Sequence, residues 1–231
     1  PVDDVVVYGL EREGAARYAS LFPAWQAREV EGPPFDAMLH ERLLGGAPVD
    51  VCDAVPAPLR TWLADSLDAP LRRELRDEFR FVQRYRDDWS AAPYTPVFVT
   101  VDALVTHADH VLVIRRARRP GAGLLALPGG FIDVDEFLRD SALRELREET
   151  GLVLSHADCR GVTVFDHPRR SLRGRIVTHL HRYELPSTQP APAVTGGDDA
   201  ADACWLPLGE ARPERFFEDH YAMLQVTLGL P

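Results

Sequence analysis

Apolar residues run together or alternate in some stretches of the chain and recur every three or four positions in others. That difference predicts where strands and helices lie. Residues 4–9, DVVVYG, are an apolar run closed by Gly and predict a buried strand. EGAARYASLF behind it predicts a helix, so the two read as part of an α/β unit. Residues 31–58 are rich in Pro and Gly and carry little pattern. In residues 70–89, Leu71, Leu75, Phe79, Val82, Tyr85 and Trp89 form one apolar stripe with Arg and Asp opposite. This predicts a helix with Pro70 in its first turn. SAAPYTPVF at 90–98 reads as a linker.

FVTVDALVTH and HVLVIRRA predict two strands of a hairpin turning at ADH. A Pro-Gly loop at 120–123 leads into LLALPGGFIDVDE, where Gly129 and Gly130 let the backbone come close to a neighbour. FLRDSALRELREET predicts a helix stopped by Gly151. GVTVF, IVTHLHRYEL and ACWLPL predict further strands, and PERFFEDHYAMLQVTL a closing helix. The fold class is therefore α/β, a mixed sheet sandwiched by helices. The chain divides into residues 1–92 and 93–231.

The helix before Gly151 poses an electrostatic problem. Glu145, Glu148 and Glu149 share one face, being three and four residues apart. Each like-charged pair repels, and the negative end of the helix dipole costs about 0.3–1 kcal/mol per exposed carboxylate. One resolution is a polar face paired to Arg144 and Arg147. The other is a hard divalent cation such as Mg²⁺, which takes oxygen ligands and keeps the carboxylates ionised.

Composition narrows the classes. The formal net charge is −10, which argues against a nucleic-acid partner. The chain has no Lys, which removes lysine bases, Schiff-base lysines and phosphate-binding loop lysines. It has no Asn either; both residues use AT-rich codons, which fits a GC-rich bacterial source. Cys52, Cys159 and Cys204 have no metal-site spacing and read as reduced cysteines of a cytoplasmic protein. No apolar run approaches the roughly 20 residues of a membrane span, so no membrane partner is expected. The first residue is Pro rather than Met, which leaves room for an upstream segment. His107 and His110 sit at a hairpin turn rather than on a helix, and metal binding is not expected there. His167, His179 and His181 read as structural.

The segment from Gly130 through Glu136 to Arg144-Glu145-Leu146-Arg147-Glu148-Glu149-Thr150-Gly151-Leu152 resembles the signature of the Nudix hydrolases at each of its defining positions. LPGG before it strengthens the likeness. The resemblance implies a Nudix α/β/α sandwich that hydrolyses a nucleoside diphosphate linked to another group, using Mg²⁺ or Mn²⁺. It implies metal binding by Glu145, Glu148, Glu149 and the Gly130 carbonyl. It assigns Glu136 and Arg144 to orienting the helix and loop.

Residues outside the signature bear on the substrate. Arg169, Arg170, Arg173 and Arg175 lie within seven residues, and Arg grips phosphate with two parallel bonds. Arg115 and Arg116 end a strand that feeds the signature; both can reach phosphates, and surface placement is the alternative for at least one. Phe131 and Phe165 are candidates to stack on a base, or core residues. Asp198 or Asp199, in TGGDDAAD, is a candidate base or further metal ligand, or part of a turn. Glu148 and Glu149 are the other catalytic candidates, and sequence does not choose the general base.

YTPVFVTVDALV, the FDHP and SLRGR stretches, GGDDA and FFEDH resemble the ADP-ribose pyrophosphatase half of bacterial bifunctional proteins. In those proteins a nicotinamide-mononucleotide adenylyltransferase comes first. EFRFVQRYRDDW resembles their connecting helix, and VVVYGLEREGAARYASLFPAW a late Rossmann strand and helix. That likeness implies a partial Rossmann-like N-terminal region, a small-molecule nucleotide substrate, a place in NAD metabolism and a homodimer. The chain has no HxGH motif, and FDAMLHERLL stands where a hydroxyl-rich helix start belongs. Residues 1–92 are therefore expected to be a transferase remnant without adenylyltransferase activity. A Nudix hydrolase for another nucleotide and a non-catalytic ADP-ribose sensor are the competing readings.

Overall fold

A computed structural model of the chain describes residues 5–9, 25–29, 61, 65 and 69–230. The chain divides into two units, Pro1–Phe79 and Arg80–Pro231. In the first, β1 (Val5–Gly9) and β2 (Trp25–Glu29) pair in parallel, Val5 opposite Trp25. β1 is the strand that its apolar run predicts. The helix expected over EGAARYASLF and the stretch FDAMLHERLL lie outside the described residues. Helix α1 (Ala69–Asp88) follows the predicted stripe, and the division between the units falls within it. Its last turns belong to the second unit: Val82 is buried, and Tyr85 meets Phe98 edge-on at 5.9 Å.

The second unit is built on β3 (Val97–His107), β4 (His110–Arg116), β5 (Leu125–Ala126), β6 (Gly129–Phe131), β7 (Cys159–Phe165), β8 (Arg175–Leu185) and β9 (Ala200–Pro207). The sheet runs β5-β4-β3-β8-β7, with β6 also on β3 and β9 also on β4. β3 and β8 are parallel from Val97–Arg175 to His107–Leu185, and the other pairings are antiparallel. The sheet is mixed, as the pattern predicts.

Alternation along the central strands gives the two buried faces. Ala103, Val105 and Leu112 pack with Leu146 of helix α2 (Leu138–Thr150). Leu104, Val111 and Val113 pack with Met223 and Leu224 of helix α3 (His220–Leu228). Gly151 ends α2 at φ 71°, the left-handed turn its position predicts.

Two expectations need correction. The Gly129-Gly130 loop is a short strand, because Gly130 and Gly129 pair with Val101 and Asp102. The closing helix predicted from Pro213 starts only at His220. Before it, the Phe217 N–H donates to the Leu125 carbonyl at 2.8 Å, and Glu218 takes φ 44°. That long-range bond ties Phe217, next to the buried Phe216, to β5 and breaks the helical run. Among the described residues no helix is long and apolar enough to cross a membrane.

Candidate active site

α2 lays its carboxylate face against β6. A methyl group added at Gly130 would sit 2.6 Å from Glu145 Oε1, so only glycine lets that carboxylate touch the strand. The Gly129 N–H donates to Glu149 Oε2 at 2.8 Å. Glu149 is 4% exposed. Burial pushes its carboxyl up to about 8; Gly129 pulls it back, and the nearby charges of Glu145 and Asp102 push it further. Burial also raises Glu145, against the pull of Arg144.

Arg144 accounts for the polar-face reading of the sequence. Its Nη1 lies 2.9 Å from Glu145 Oε1 and 3.0 Å from Glu148 Oε2. Its Nε donates to Glu136 at 3.1 Å, and Glu136 also accepts from Ser141 Oγ at 2.5 Å. Glu136, Arg144, Glu145 and Glu148 thus form one ion-paired chain. Arg147 stands 3.8 Å from Glu148.

Among the described residues no three His, Cys, Asp or Glu side chains form a ready metal cage. The donor set nevertheless suits a hard divalent cation. Two carboxylates already converge on a single cationic nitrogen, the buried Glu149 carboxylate lies one turn away, and the ligands are all oxygens.

Glu145 and Glu149 line a cleft of about 300 Å³. Arg116, Arg170, Arg173, Phe131, Asp198 and Asp199 line it too. Glu148 stays outside that lining, held by Arg144 at the rim. Arg116 lies 4.1 Å over the Phe217 ring and Arg173 5.6 Å from it. Burial, together with the Arg173 charge, lowers Arg116 from the usual guanidinium range. Arg116 and Arg173 thus crowd two guanidiniums into a cleft that carboxylates also line.

The candidate arginines have different fates. Arg170 is 4% exposed and makes two bonds to Asp219, at 2.8 and 2.9 Å, so its charge is balanced within the protein. Arg170→Ala would strand Asp219, and a loss of about 3–5 kcal/mol in urea unfolding is expected. Arg175 leaves the cleft: it begins β8, bonds the Asp166 carbonyl and lines a neighbouring groove. Arg115 is exposed and bonds the Gly123 carbonyl at 2.8 Å. Phe165 is a core residue, 8% exposed, packed with Leu104, Leu180 and Met223 in one cluster. Asp198 is exposed with φ 48°, and Asp199 pairs with Arg118 at 2.8 Å.

Sequence reasoning missed several cleft residues, among them Asp102, Glu218, His220 and Phe217. Asp102 accepts from Thr178 Oγ1 and is buried, which raises its carboxyl. Glu218 accepts from Ser171 Oγ at 2.7 Å and stands 3.5 Å from Arg173. His220 Nδ1 accepts the Leu127 N–H at 3.1 Å, and burial pushes it down to about 3, so it is neutral. Phe217 lies under Arg116. The signals for these were FFEDH, which holds Phe217, Glu218 and His220, and YTPVFVTVDALV, which holds Asp102, both noticed only as a resemblance.

The NUDIX domain family matches residues 96–226, more than half of the chain, and the chain belongs to the Nudix family. Its fold is similar to that of the bifunctional NMN adenylyltransferase/ADP ribose pyrophosphatase of Francisella tularensis. The TM-score is 0.79 and the identity 32%, over 98% of this chain and 69% of that one. A second structure of the Francisella protein holds AMP and a Mn ion; there the TM-score is 0.78 and the identity 33%, over 93% of this chain and 66% of that one. The chain is 31% identical over 105 residues to the ADP-ribose pyrophosphatase of Methanocaldococcus jannaschii, covering 46% of this chain and 59% of that protein. It is 31% identical over 157 residues to the ADPR responsive transcriptional repressor NtrR of Acinetobacter baylyi, covering 65% of this chain and 61% of that protein. The chain thus spans about three-fifths of the curated relatives it matches.

Proposed function

We propose that the chain is a divalent-cation-dependent pyrophosphohydrolase that converts ADP-ribose and water to AMP and ribose 5-phosphate. The observation that carries the reading is that one cleft is lined both by the Glu145 and Glu149 carboxylates and by the Arg116 and Arg173 guanidiniums. Similarity to the archaeal ADP-ribose pyrophosphatase and to the Francisella protein supports the substrate.

Mg²⁺ or Mn²⁺ would be held by Glu145, Glu148, Glu149 and the Gly130 backbone. When bound, such a cation neutralises pyrophosphate charge and makes its water more acidic. The protein's own groups do the rest. Arg116 and Arg173 hold the phosphate oxygens. The buried pair of Arg170 and Asp219, and Glu218 beside Arg173, keep that wall in place. Glu149 or Asp198 accepts the proton of the attacking water as its oxygen bonds to phosphorus and the bridging P–O bond breaks.

A sensor reading is the second candidate, favoured by the NtrR likeness and by the occupation of Glu145 and Glu148 by Arg144. A panel of ADP-ribose, NADH, diadenosine polyphosphates and nucleotide sugars, with Mg²⁺, separates the readings. ADP-ribose cleaved well ahead of the others, with AMP and ribose 5-phosphate as products, is expected. Preferential cleavage of another compound would move the substrate. Binding of ADP-ribose without cleavage would favour the sensor.

A further inference from the structure

Beside the cleft lies a recess of about 190 Å³ whose walls include Phe81 and Tyr85 of α1, Phe131 of β6, and the turn at Arg118 to Pro120. It adjoins the cleft, with Arg116, Phe131, Arg173 and Asp199 lining both. None of the cation chemistry above uses it. We propose that this recess is the subsite for the aromatic base of the nucleotide, with Tyr85 and Phe131 as its stacking residues. The inference rests on the hydrolase reading for the phosphate end, and adds a base-recognising role for the helix that precedes the Nudix domain.

Three observations support it. First, the rings are held in place by other rings rather than by loops. Tyr85 and Phe131 each meet Phe98 edge-on at 5.9 Å, and Arg173 sits 5.5 Å from the Phe131 ring. Second, Phe131 remains 38% exposed at the junction of cleft and recess, and Phe81 and Tyr85 are half-buried. A flat π-system of matching size removes that apolar surface from water, and base-on-aromatic stacking is sequence-tolerant and worth a sizeable part of nucleotide affinity. Third, the polar groups at the recess suit a nucleoside. Arg118 and Asp199, paired at 2.8 Å, offer a donor and an acceptor to base or ribose edges.

A larger groove of about 600 Å³, walled by Trp89, Tyr94 and Arg175, is the rival position. It shares only Arg173 with the cleft, so a pyrophosphate gripped between Arg116 and Arg173 connects less directly to it.

Calorimetric titration of the full chain with AMP and, separately, with ribose 5-phosphate tests the assignment. Tyr85→Ala is expected to weaken AMP about tenfold or more, the scale of one lost stacking contact, and to leave ribose 5-phosphate unchanged. Tyr85→Phe, which keeps the ring, should bind AMP as the parent does, and so should Trp89→Ala. AMP affinity indifferent to Tyr85→Ala would overturn the proposal. Equal loss of AMP and ribose 5-phosphate, or a loss confined to Trp89→Ala, would overturn it as well. A parent that cleaves ADP-ribose while Tyr85→Ala binds AMP normally would sink the base subsite alone. A parent that fails to cleave ADP-ribose, with AMP binding still dependent on the Tyr85 ring, would sink the hydrolase reading and leave the subsite standing.

Discussion

Replacing Glu149 by Gln is expected to reduce Mg²⁺-dependent ADP-ribose cleavage by at least about a hundredfold, the low end of what a positioned proton acceptor contributes. Loss of a metal-binding charge acts in the same direction. The fold should survive. Burial pushes the Glu149 carboxyl up to about 8, so near pH 7 without cation it is largely protonated, and Gln matches that neutral form in size. The Gln carbonyl can also accept the Gly129 N–H that Glu149 Oε2 accepts at 2.8 Å. Steady-state kinetics alongside a melting curve separates the two effects. Full turnover by a folded Glu149→Gln protein would remove Glu149 from the mechanism. Glu148→Gln, at the rim, should also depress turnover strongly, through the cation alone.

The second large effect is expected at two adjacent glycines, with opposite consequences. A Cβ at Gly129 would stand 2.2 Å from the Val101 carbonyl oxygen and 2.8 Å from Asp102 Cα. Both are backbone atoms of the central strand, which cannot yield without disturbing the β3–β6 pairing. Gly129→Ala should therefore destabilise the fold by about 1–3 kcal/mol or more, the range of overpacked cores. A Cβ at Gly130 would instead meet the far end of the Glu145 side chain at 2.6 to 3.0 Å. That carboxylate can swing away, so Gly130→Ala should fold but lose most of its cation affinity and turnover. Denaturant unfolding and Mn²⁺ titration of both variants check this. Equal damage to stability from the two substitutions would contradict the assigned geometry.

Much of the candidate site was legible because its carboxylates sit on one helix. Glu145, Glu148 and Glu149 share a face by period alone, and Gly151 marks where that face ends. The strands were legible for a similar reason: β3 and β4 alternate between two cores, so their apolar positions report on both. What stayed hidden depends on partners distant in sequence. Asp102 reads as one polar residue in an apolar strand until Thr178, on a parallel neighbour, meets it. Phe217 and Glu218 read as helix, because the bond from Phe217 to Leu125 spans strands the pattern cannot pair. Arg170, Arg173 and Arg175 look alike in the chain. Only the fold pairs Arg170 with Asp219 in the cleft lining, shares Arg173 between cleft and groove, and leaves Arg175 to the groove.

Glu136 and Arg144 show how the two readings of the acidic turn combine. The ion pairs that a polar face predicts are present, and they hold Glu145 and Glu148 around one positive nitrogen. That pairing satisfies the carboxylates within the protein, and under the proposed function a cation would compete with Arg144 for them.

The measurement that bears most directly on this account is the rate of ADP-ribose cleavage as Mg²⁺ is returned to chelator-treated protein. The account predicts no cleavage at the start, and a rise that saturates with cation and yields AMP and ribose 5-phosphate. Cleavage that persists undiminished in chelator, or ADP-ribose that binds and is not cleaved at any Mg²⁺ concentration, would contradict it.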